Sequence, residues 1–286
     1  MASIHPTAVV ESQTKIASDV SIGPFCVIEA GVTIERGCRI ASHAIIKAGT
    51  VLGENNTISE GAVLGGRPQH LQAGDRVGRL QIGSGNTIRE NTTIHTGVKQ
   101  DDWTIVGDNN LIMVNAHIGH DCRIGNNTII TNNVMIAGHV VIEDRVYISG
   151  AAGIHQFCRI GQLAMVGGQS HVRRDVLPFV MLDGQTSHVV GLNVIGLRRA
   201  GFNDKDILQL KAAYRYIYRS GLAWADILEG LPTEFPDGPA SVYHEFLRRG
   251  KRGIMQDRRG PVRSTLRIFP GDDEAAEGKK NVRTAS

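Results

Sequence analysis

Histidines suited to acid–base chemistry cluster in the middle of the chain. His117, His120, His139 and His155 follow one another over a short stretch, and Asp121 comes directly after His120. An imidazole can exchange a proton near neutral pH and can also contact phosphate. A carboxylate beside it can hold one tautomer and raise its basicity. These residues therefore indicate proton transfer or phosphate contact.

A six-residue repeat must position these side chains. Counting in steps of six from Ile4 to Val172 gives 29 positions, and 26 of them hold Ile, Val or Leu; the exceptions are His70, Arg76 and Gln100. A short strand and a turn take six residues, and three such units close a triangular coil of 18 residues. Coils stack about 4.8 Å apart, so that neighbouring coils together bury the aliphatic side chains that a single coil would leave exposed. The repeat predicts an all-β fold, a parallel β-helix.

A second column of small or β-branched residues stands four places after each aliphatic position. All four cysteines lie in this column: Cys26, Cys38, Cys122 and Cys158. Because none forms a CxxC pair, we expect buried space-filling side chains rather than metal ligands or disulfides. The repeat itself leaves the handedness of the coil open, although the general crossover rule favours right-handed coils.

The pattern divides the chain into three parts. The β-helix is predicted over 1–190, with loops leaving it at 65–81 and 95–105. A small all-α domain is predicted over 191–258: Asn203 and Asp206 can cap a helix that ends at Gly221, and shorter helices are expected at 222–230 and 240–249. The composition of 259–286 is typical of a disordered tail. The basic stretch 248–267 is either a solvated surface or a docking site for an acidic partner.

The bulk composition excludes several classes of protein. A net charge of +3 gives no indication of a nucleic-acid-binding protein. No apolar run approaches the roughly 20 residues that span a bilayer, and residues 1–11 lack the features of a signal peptide. We therefore expect no integral membrane segment and a cytoplasmic location.

The coil length places the histidines relative to one another. His139 follows Asp121 by one 18-residue coil, and His155 lies one coil further along, offset by two residues. The aliphatic positions of these coils already point inward, so the imidazoles should face outward or into a groove. One chain supplies only one wall of such a groove, and we expect the cleft between subunits of a ring.

Two other classes fit the residues less well. In a zinc enzyme of trimeric β-helix type, His117 and His120 would be ligands, but their spacing on a β-helix points them in different directions. A purely structural β-helix, such as an ice-binding protein, needs regular Thr-rich faces and no helical appendage.

Five segments resemble the UDP-N-acetylglucosamine O-acyltransferases of lipid A biosynthesis. They are Asn115-Ala-His-Ile-Gly-His-Asp-Cys122, Ala137-Gly-His139, His155-Gln-Phe-Cys158, Gly167-Gly168 and Gly196-Leu-Arg-Arg-Ala-Gly-Phe202. The resemblance covers residues 2 to 255. It implies a left-handed β-helix, a homotrimer with active sites between subunits, and no metal or other cofactor. The implied reaction transfers a 3-hydroxyacyl chain from acyl carrier protein to the 3-hydroxyl of the nucleotide sugar.

The resemblance also implies a role for each matching residue. His120 would be the general base, Asp121 its support, and the Gly138 N–H the donor to the oxyanion. Gly168 would cap the acyl groove, where glycine leaves room for a long chain. Substrate contacts are implied for Gln69, His117, His139, His155, Gln156, Asn193, Arg198 and Arg199.

The chain departs from the family pattern where the acceptor would be recognised. An Asp and a Lys usual in the first loop are replaced by His70 and Gln72, and Ile195, Ala200 and Thr186 replace a Glu, an Arg and a His, although His188 lies close to Thr186. Two hypotheses follow. The acceptor is UDP-N-acetylglucosamine, or a divergent paralogue keeps the donor and the base but uses a 3-amino sugar nucleotide or a non-UDP acceptor.

Overall fold

The computed structural model describes residues 2–259, and its main body is a three-sided prism of short strands. The first side holds β1 (Ser3–Ile4), β4 (Ser21–Ile22), β7 (Arg39–Ile40), β10 (Thr57–Ile58), β13 (Thr87–Ile88), β16 (Leu111–Ile112), β19 (Ile129–Ile130), β22 (Tyr147–Ile148), β25 (Met165–Val166), β27 (Val180–Leu182) and β28 (Val189–Leu192). The second holds β2 (Val9–Val10), β5 (Val27–Ile28), β8 (Ile45–Ile46), β11 (Val63–Gly66), β14 (Thr93–His95), β17 (His117–Ile118), β20 (Met135–Ile136), β23 (Gly153–Ile154) and β26 (His171–Val172). The third holds β3 (Lys15–Ile16), β6 (Thr33–Ile34), β9 (Thr50–Leu52), β12 (Arg79–Ile82), β15 (Trp103–Val106), β18 (Arg123–Ile124), β21 (Val141–Ile142) and β24 (Arg159–Ile160).

The strands pair in parallel with the register that the repeat predicts. Ile118 pairs with Ile136, and Ile136 with Ile154, one coil apart each time. These side chains point into the prism and are buried, so each rests on the next as expected. Only β28 runs antiparallel to its neighbour β27 among the described strand pairs. The predicted parallel β-helix is therefore confirmed.

The column of small residues lies at the inner corners of the prism. All four cysteines are buried there and unpaired. Burial raises the pKa of the Cys122 and Cys158 thiols to about 12, which leaves them protonated and unreactive. Their prediction as space-filling residues is confirmed.

A third column, which was not predicted from the sequence, forms the outer corners. Most residues three places before an aliphatic position adopt a left-handed backbone: φ is 59° at Asn115 and Asp121 and 60° at His139. Glycine and asparagine tolerate this conformation best, and they are the commonest residues in the column. The column matters for function because it contains Asp121 and His139.

Up to residue 259, four α-helices follow the prism: α1 (Val194–Arg199), α2 (Asp204–Arg219), α3 (Trp224–Glu234) and α4 (Val242–Arg248), with a 3₁₀ turn at Pro239–Ser241 before α4. The capping box that Asn203 and Asp206 predict is present, and Gly221 follows the end of α2 with φ of 74°. None of the helices within residues 2–259 has the length and apolar character needed to cross a bilayer. Apart from Arg259, the proposed disordered tail lies outside the described residues.

The chain returns from the helices to the last coil. Ile254 bridges to Asp175, and Asp257 bridges to Val189. The Asp257 carboxylate also accepts hydrogen bonds from the Tyr214 hydroxyl at 2.6 Å and the Arg219 guanidinium at 3.0 Å. These contacts join α2 to the end of the prism.

Candidate active site

One edge of the prism, between the second and third sheets, carries the predicted site; we call it the histidine edge. His120, His139 and His155 all lie at this edge, in the turns after β17, β20 and β23. Both loops leave the prism here as well. They span 67–78, between β11 and β12, and 96–102, between β14 and β15, and are shorter than the predicted 65–81 and 95–105. Loops and imidazoles are therefore stacked along one line.

His120 and Asp121 form a hydrogen-bonded pair. The His120 Nδ1 lies 2.7 Å from Asp121 Oδ2, and His120 is only 8% exposed. The second loop and the strand that follows it, β15, hold the aspartate in place: Asp121 N–H donates to Thr104 Oγ1 in β15 at 2.8 Å, and Val98 N–H in the loop donates to both carboxylate oxygens at 3.3 Å. A carboxylate on Nδ1 keeps the proton there and leaves the Nε2 lone pair available as a base.

The His120 ring lies flat against Gly138 in the coil above. A Cβ built on Gly138 would stand 2.4 Å from His120 Cε1 and 2.5 Å from Nε2, closer than atoms can approach. Within residues 2–259 the Gly138 N–H has no hydrogen-bond acceptor, whereas the next N–H, of His139, donates to His120 O at 2.9 Å. An imidazole with a free Nε2 and an unused backbone donor thus lie side by side, an arrangement that suits acyl transfer.

Two further rings surround the pair. The ring centroid of His139 lies 5.0 Å from that of His120, its Nε2 lies 3.7 Å from Asp121 Oδ2, and it stacks on Phe157 at 4.7 Å. Burial lowers the pKa of His139, although the Asp121 charge opposes this. His70, from the first loop, meets His120 edge-on at 5.3 Å. The arithmetic of the coil predicted the place of His139, but not the contacts of His70 and Phe157.

A second pair of imidazoles adjoins this group. His117 Nδ1 lies 2.8 Å from Thr93 Oγ1, and its ring meets that of His95 at 4.8 Å. Burial, with the neighbouring His120, lowers the pKa of His117; burial lowers that of His95 to about 4, with His117 and His120 adding to the effect. Both rings are therefore neutral at pH 7. His95 was not predicted from the sequence as a site residue, although its place at the start of the second loop was a usable signal.

Known proteins resemble this chain along most of its length. Residues 175–255 match the family model described as UDP-N-acetylglucosamine O-acyltransferase, domain 2, and residues 13–48 and 104–138 match the bacterial transferase hexapeptide model. The chain is 47% identical over 262 residues to an acyl-[acyl-carrier-protein]–UDP-N-acetylglucosamine O-acyltransferase of Paraburkholderia phymatum, covering 90% of this chain and 100% of that one. The chain belongs to the UDP-N-acetylglucosamine O-acyltransferase family.

Solved structures of this family superpose along almost the whole chain. The Francisella novicida UDP-N-acetylglucosamine acyltransferase has a TM-score of 0.87 at 36% identity, with 90% of this chain and 95% of that one covered. The Bacteroides fragilis enzyme has a TM-score of 0.85 at 38% identity, with 88% and 100% covered. The fold is therefore the left-handed β-helix that the family resemblance implied, and the right-handed coil favoured by the general crossover rule is wrong for this chain.

The other residues implied by the family resemblance lie outside the His120 cluster. His155, one coil above His139, has its Nδ1 3.2 Å from Gln156 O, and Gln156 is exposed. Gln69 is exposed in the first loop. Gly168 lies at a different edge, between β25 and β26, where the first and second sheets meet. A Cβ at Gly168 would stand 3.3 Å from Gly150 O, a tight but tolerable distance.

The candidate nucleotide-binding residues surround α1, and no described hydrogen bond or ring contact links them to the His120 cluster. Asn193 caps α1: its Oδ1 accepts from Gly196 N–H at 3.0 Å, and its Nδ2 donates to Leu163 O at 3.0 Å. These two bonds leave one N–H and one oxygen lone pair of the Asn193 amide without a described partner. Arg198 pairs with Asp204 at 3.1 Å on the surface, and Arg199 is exposed.

The departures from the family pattern have different surroundings. Ile195 projects from α1 and is 68% exposed, so no local packing requires an apolar side chain there. Thr186 donates its hydroxyl to Asp183 at 2.8 Å, and its carbonyl lies 2.8 Å from His188 Nδ1. Ala200 closes the end of α1. Of the substituted positions, only His70 has a described contact with the His120–Asp121 pair.

Proposed function

We propose that this chain transfers a 3-hydroxyacyl group from acyl carrier protein to the 3-hydroxyl of UDP-N-acetylglucosamine, the first step of lipid A biosynthesis. The observation that carries the chemistry is the buried His120–Asp121 pair beside the unused Gly138 N–H. The donor and acceptor follow from the relatives, whose names give acyl carrier protein and UDP-N-acetylglucosamine.

The proposed step is direct acyl transfer. His120 Nε2 takes the proton of the acceptor hydroxyl as its oxygen attacks the thioester carbonyl. Gly138 N–H donates a hydrogen bond to the oxyanion of the tetrahedral intermediate. This hydrogen bond stabilises most strongly the atom on which negative charge develops. The intermediate then expels the thiolate, and the imidazolium returns its proton to that sulfur. Asp121 stabilises the imidazolium from the Nδ1 side throughout.

Recognition of the acceptor is proposed for the residues carried over from the family. His139 and His117 border the base, and their neutral imidazoles would donate or accept single hydrogen bonds to the sugar. His155, Gln156 and Gln69 flank them along the histidine edge. Asn193, Arg198 and Arg199 would contact the nucleotide, with the guanidinium groups suited to its phosphates. Gly168 would leave the end of the acyl groove open to a long chain.

A different acceptor remains the second candidate because His70 stands against the base where the family has a carboxylate. A 3-amino sugar nucleotide or a non-UDP acceptor would fit this change, but the names of the relatives above favour UDP-N-acetylglucosamine.

Calorimetry and turnover separate the two acceptors. The purified enzyme is titrated with UDP-N-acetylglucosamine, with UDP alone as the control, and acyl transfer is then measured with 3-hydroxyl and 3-amino acceptors. Saturable binding and turnover of the 3-hydroxyl sugar are expected. Absence of binding at about millimolar ligand by folded enzyme, with turnover of the 3-amino sugar alone, would transfer the proposal to the second acceptor.

This chain is proposed to act in the cytoplasm. The acidic carrier protein is proposed to dock on the helical part of the chain. Within the basic stretch 248–267, Arg248 and Arg249 both pair with Glu245, and residues 260–267 lie outside the described residues. A second basic row on α2, Lys211 and Arg215, is exposed and one helical turn apart. Replacing Lys211 and Arg215 by glutamate should raise the KM for acyl carrier protein and weaken the salt dependence of this KM, with kcat unchanged.

A further inference from the structure

Three side chains of metal-ligand type converge at the histidine edge. His120, Asp121 and His139 are the one group within residues 2–259 whose ligand atoms all lie within 4.8 Å of one another. Asp121 Oδ2 is the shared centre, 2.7 Å from His120 Nδ1 and 3.7 Å from His139 Nε2. Bonds of 2.0–2.1 Å to a tetrahedral zinc ion set its ligand atoms about 3.3 Å apart, between these two distances.

The cluster is also rigid and of a suitable composition. Two imidazoles and a carboxylate with an open fourth position form a ligand set that zinc accepts. The two imidazoles project from successive coils, whose backbones are joined here by a hydrogen bond from His139 N–H to His120 O at 2.9 Å. Thr104 accepts a hydrogen bond from the Asp121 N–H, and the Val98 N–H donates to the Asp121 carboxylate, so both the backbone and the side chain of Asp121 are held. Little side-chain freedom would be lost on binding, which favours affinity.

We propose that Zn²⁺ or a similar transition-metal ion binds His120, Asp121 and His139 and inhibits the enzyme. The ion would take the place of the proton between His120 Nδ1 and Asp121 Oδ2. A neutral imidazole has one proton and one lone pair, so the proton moves to Nε2 when the metal takes the lone pair of Nδ1. No basic lone pair then faces the acceptor hydroxyl. The inhibition, but not the binding, rests on the proposed role of His120 as the base.

Matched variants at two left-handed corners test the site. His139 and His43 have nearly the same backbone, with φ of 60° and 61°, and each ring stacks on a phenylalanine. His43 lies between β7 and β8, at a different edge. Asparagine tolerates this conformation, so His139→Asn and His43→Asn each remove one imidazole without straining the corner.

The experiment is calorimetric titration of the untagged, chelator-treated enzyme with Zn²⁺, repeated with Co²⁺ while the visible absorption is recorded. Wild type and His43→Asn should bind one ion per chain equally, with the intense visible bands of low-coordinate Co²⁺, and His139→Asn should bind at least about tenfold more weakly. No binding by wild type, or equal binding by His139→Asn, would overturn the proposal.

Turnover assays with and without Zn²⁺ complete the test. Wild type and His43→Asn should lose acyl transfer on addition of the ion and regain it on addition of chelator. Binding at this cluster without inhibition would leave the metal site standing and overturn the role of His120 as the base, so the two proposals fail in distinguishable ways.

Discussion

At the scale of single residues, a glycine determines where the His120 ring, the proposed base, can lie. Gly138→Ala should lower kcat about 100-fold or more, because the new Cβ would displace the His120 ring, and shifts of about 1 Å cost that much. Gly153→Ala is the matched control, since its Cβ would meet nothing within 4 Å in the chain. Acyl transfer and thermal unfolding are measured for both variants. An active Gly138→Ala enzyme would mean that His120 is not the base.

Asp121 offers a second test that leaves the backbone intact. Asp121→Asn keeps a residue that the left-handed corner accepts, since Asn115, Asn127 and Asn133 occupy the same column. The amide can no longer stabilise the imidazolium, nor can it keep the proton of the neutral His120 ring on Nδ1. We therefore expect kcat to fall by about 10²–10⁴ with little change in Tm. Steady-state kinetics check this, and a kcat equal to that of wild type would reduce Asp121 to a structural role.

The sequence predicted residues related by one coil, but not those related across a loop. His139 lies over Asp121 because the two are one uninterrupted coil apart. Across the first loop, Thr93 pairs with Val63 rather than with a residue 18 places before it, and across the second loop His117 pairs with Thr93. Gly66 also pairs with His95 through an irregular register. The contacts of His95 and His70 therefore depend on loop conformations that the repeat does not contain.

At the scale of elements, a buried ion pair adds to the contacts that join the prism to the helices. Asp175 is 1% exposed and accepts the Arg159 N–H at 2.8 Å, with the Arg159 guanidinium 3.7 Å away. That guanidinium also donates to Phe246 O in α4 at 2.8 Å and lies over the Phe246 ring. Burial raises the pKa of Asp175 to about 6, although Arg159 opposes the rise.

This shift predicts a specific dependence of stability on pH. Because the folded pKa lies above the unfolded value of about 3.9, the native state binds more protons than the unfolded state between them. The contribution of Asp175 is therefore fully present below about pH 4 and is lost as pH rises through about 6. The free energy of unfolding of wild type minus that of Asp175→Asn should fall by about 2–3 kcal/mol between about pH 4 and pH 7. Denaturant unfolding at both pH values measures it, and a constant or rising difference would contradict the raised pKa.

Three of the four helices up to residue 259 were predicted from the sequence: α2, and, with less exact ends, α3 and α4 at the predicted 222–230 and 240–249. The capping box at Asn203 and the apolar face of α2 predicted that helix closely. Helix α1 has six residues and was not predicted as an element of its own, because so short a helix depends on its contacts: Asn193 both caps it and ties it to Leu163 O. Tertiary contacts of this kind leave no periodic pattern in the sequence.

At the scale of the whole molecule, the proposed site is divided between two edges of the prism. His120 lies where the second sheet meets the third, and Gly168 where the second meets the first. The second sheet separates them within one chain, so a single cleft containing both is most simply formed by the edges of two copies. We therefore expect a homotrimer with three times the 30.9 kDa chain mass in sedimentation.

Mixed trimers test this arrangement directly. His120→Ala removes the base, and Gly168→Leu should close the groove to a long-chain donor, so each pure variant should be inactive with that donor. If each site takes its base from one chain and its groove from the next, every trimer that contains both variants has one intact site of its three, so doubly tagged trimers should regain about a third of the sites. Co-expression with two tags, followed by purification of doubly tagged trimers and assay with long- and short-chain donors, measures this. Gly168→Leu alone should keep short-chain transfer, which shows that it is folded. If mixed trimers remained inactive with the long-chain donor, base and groove would have to belong to the same chain.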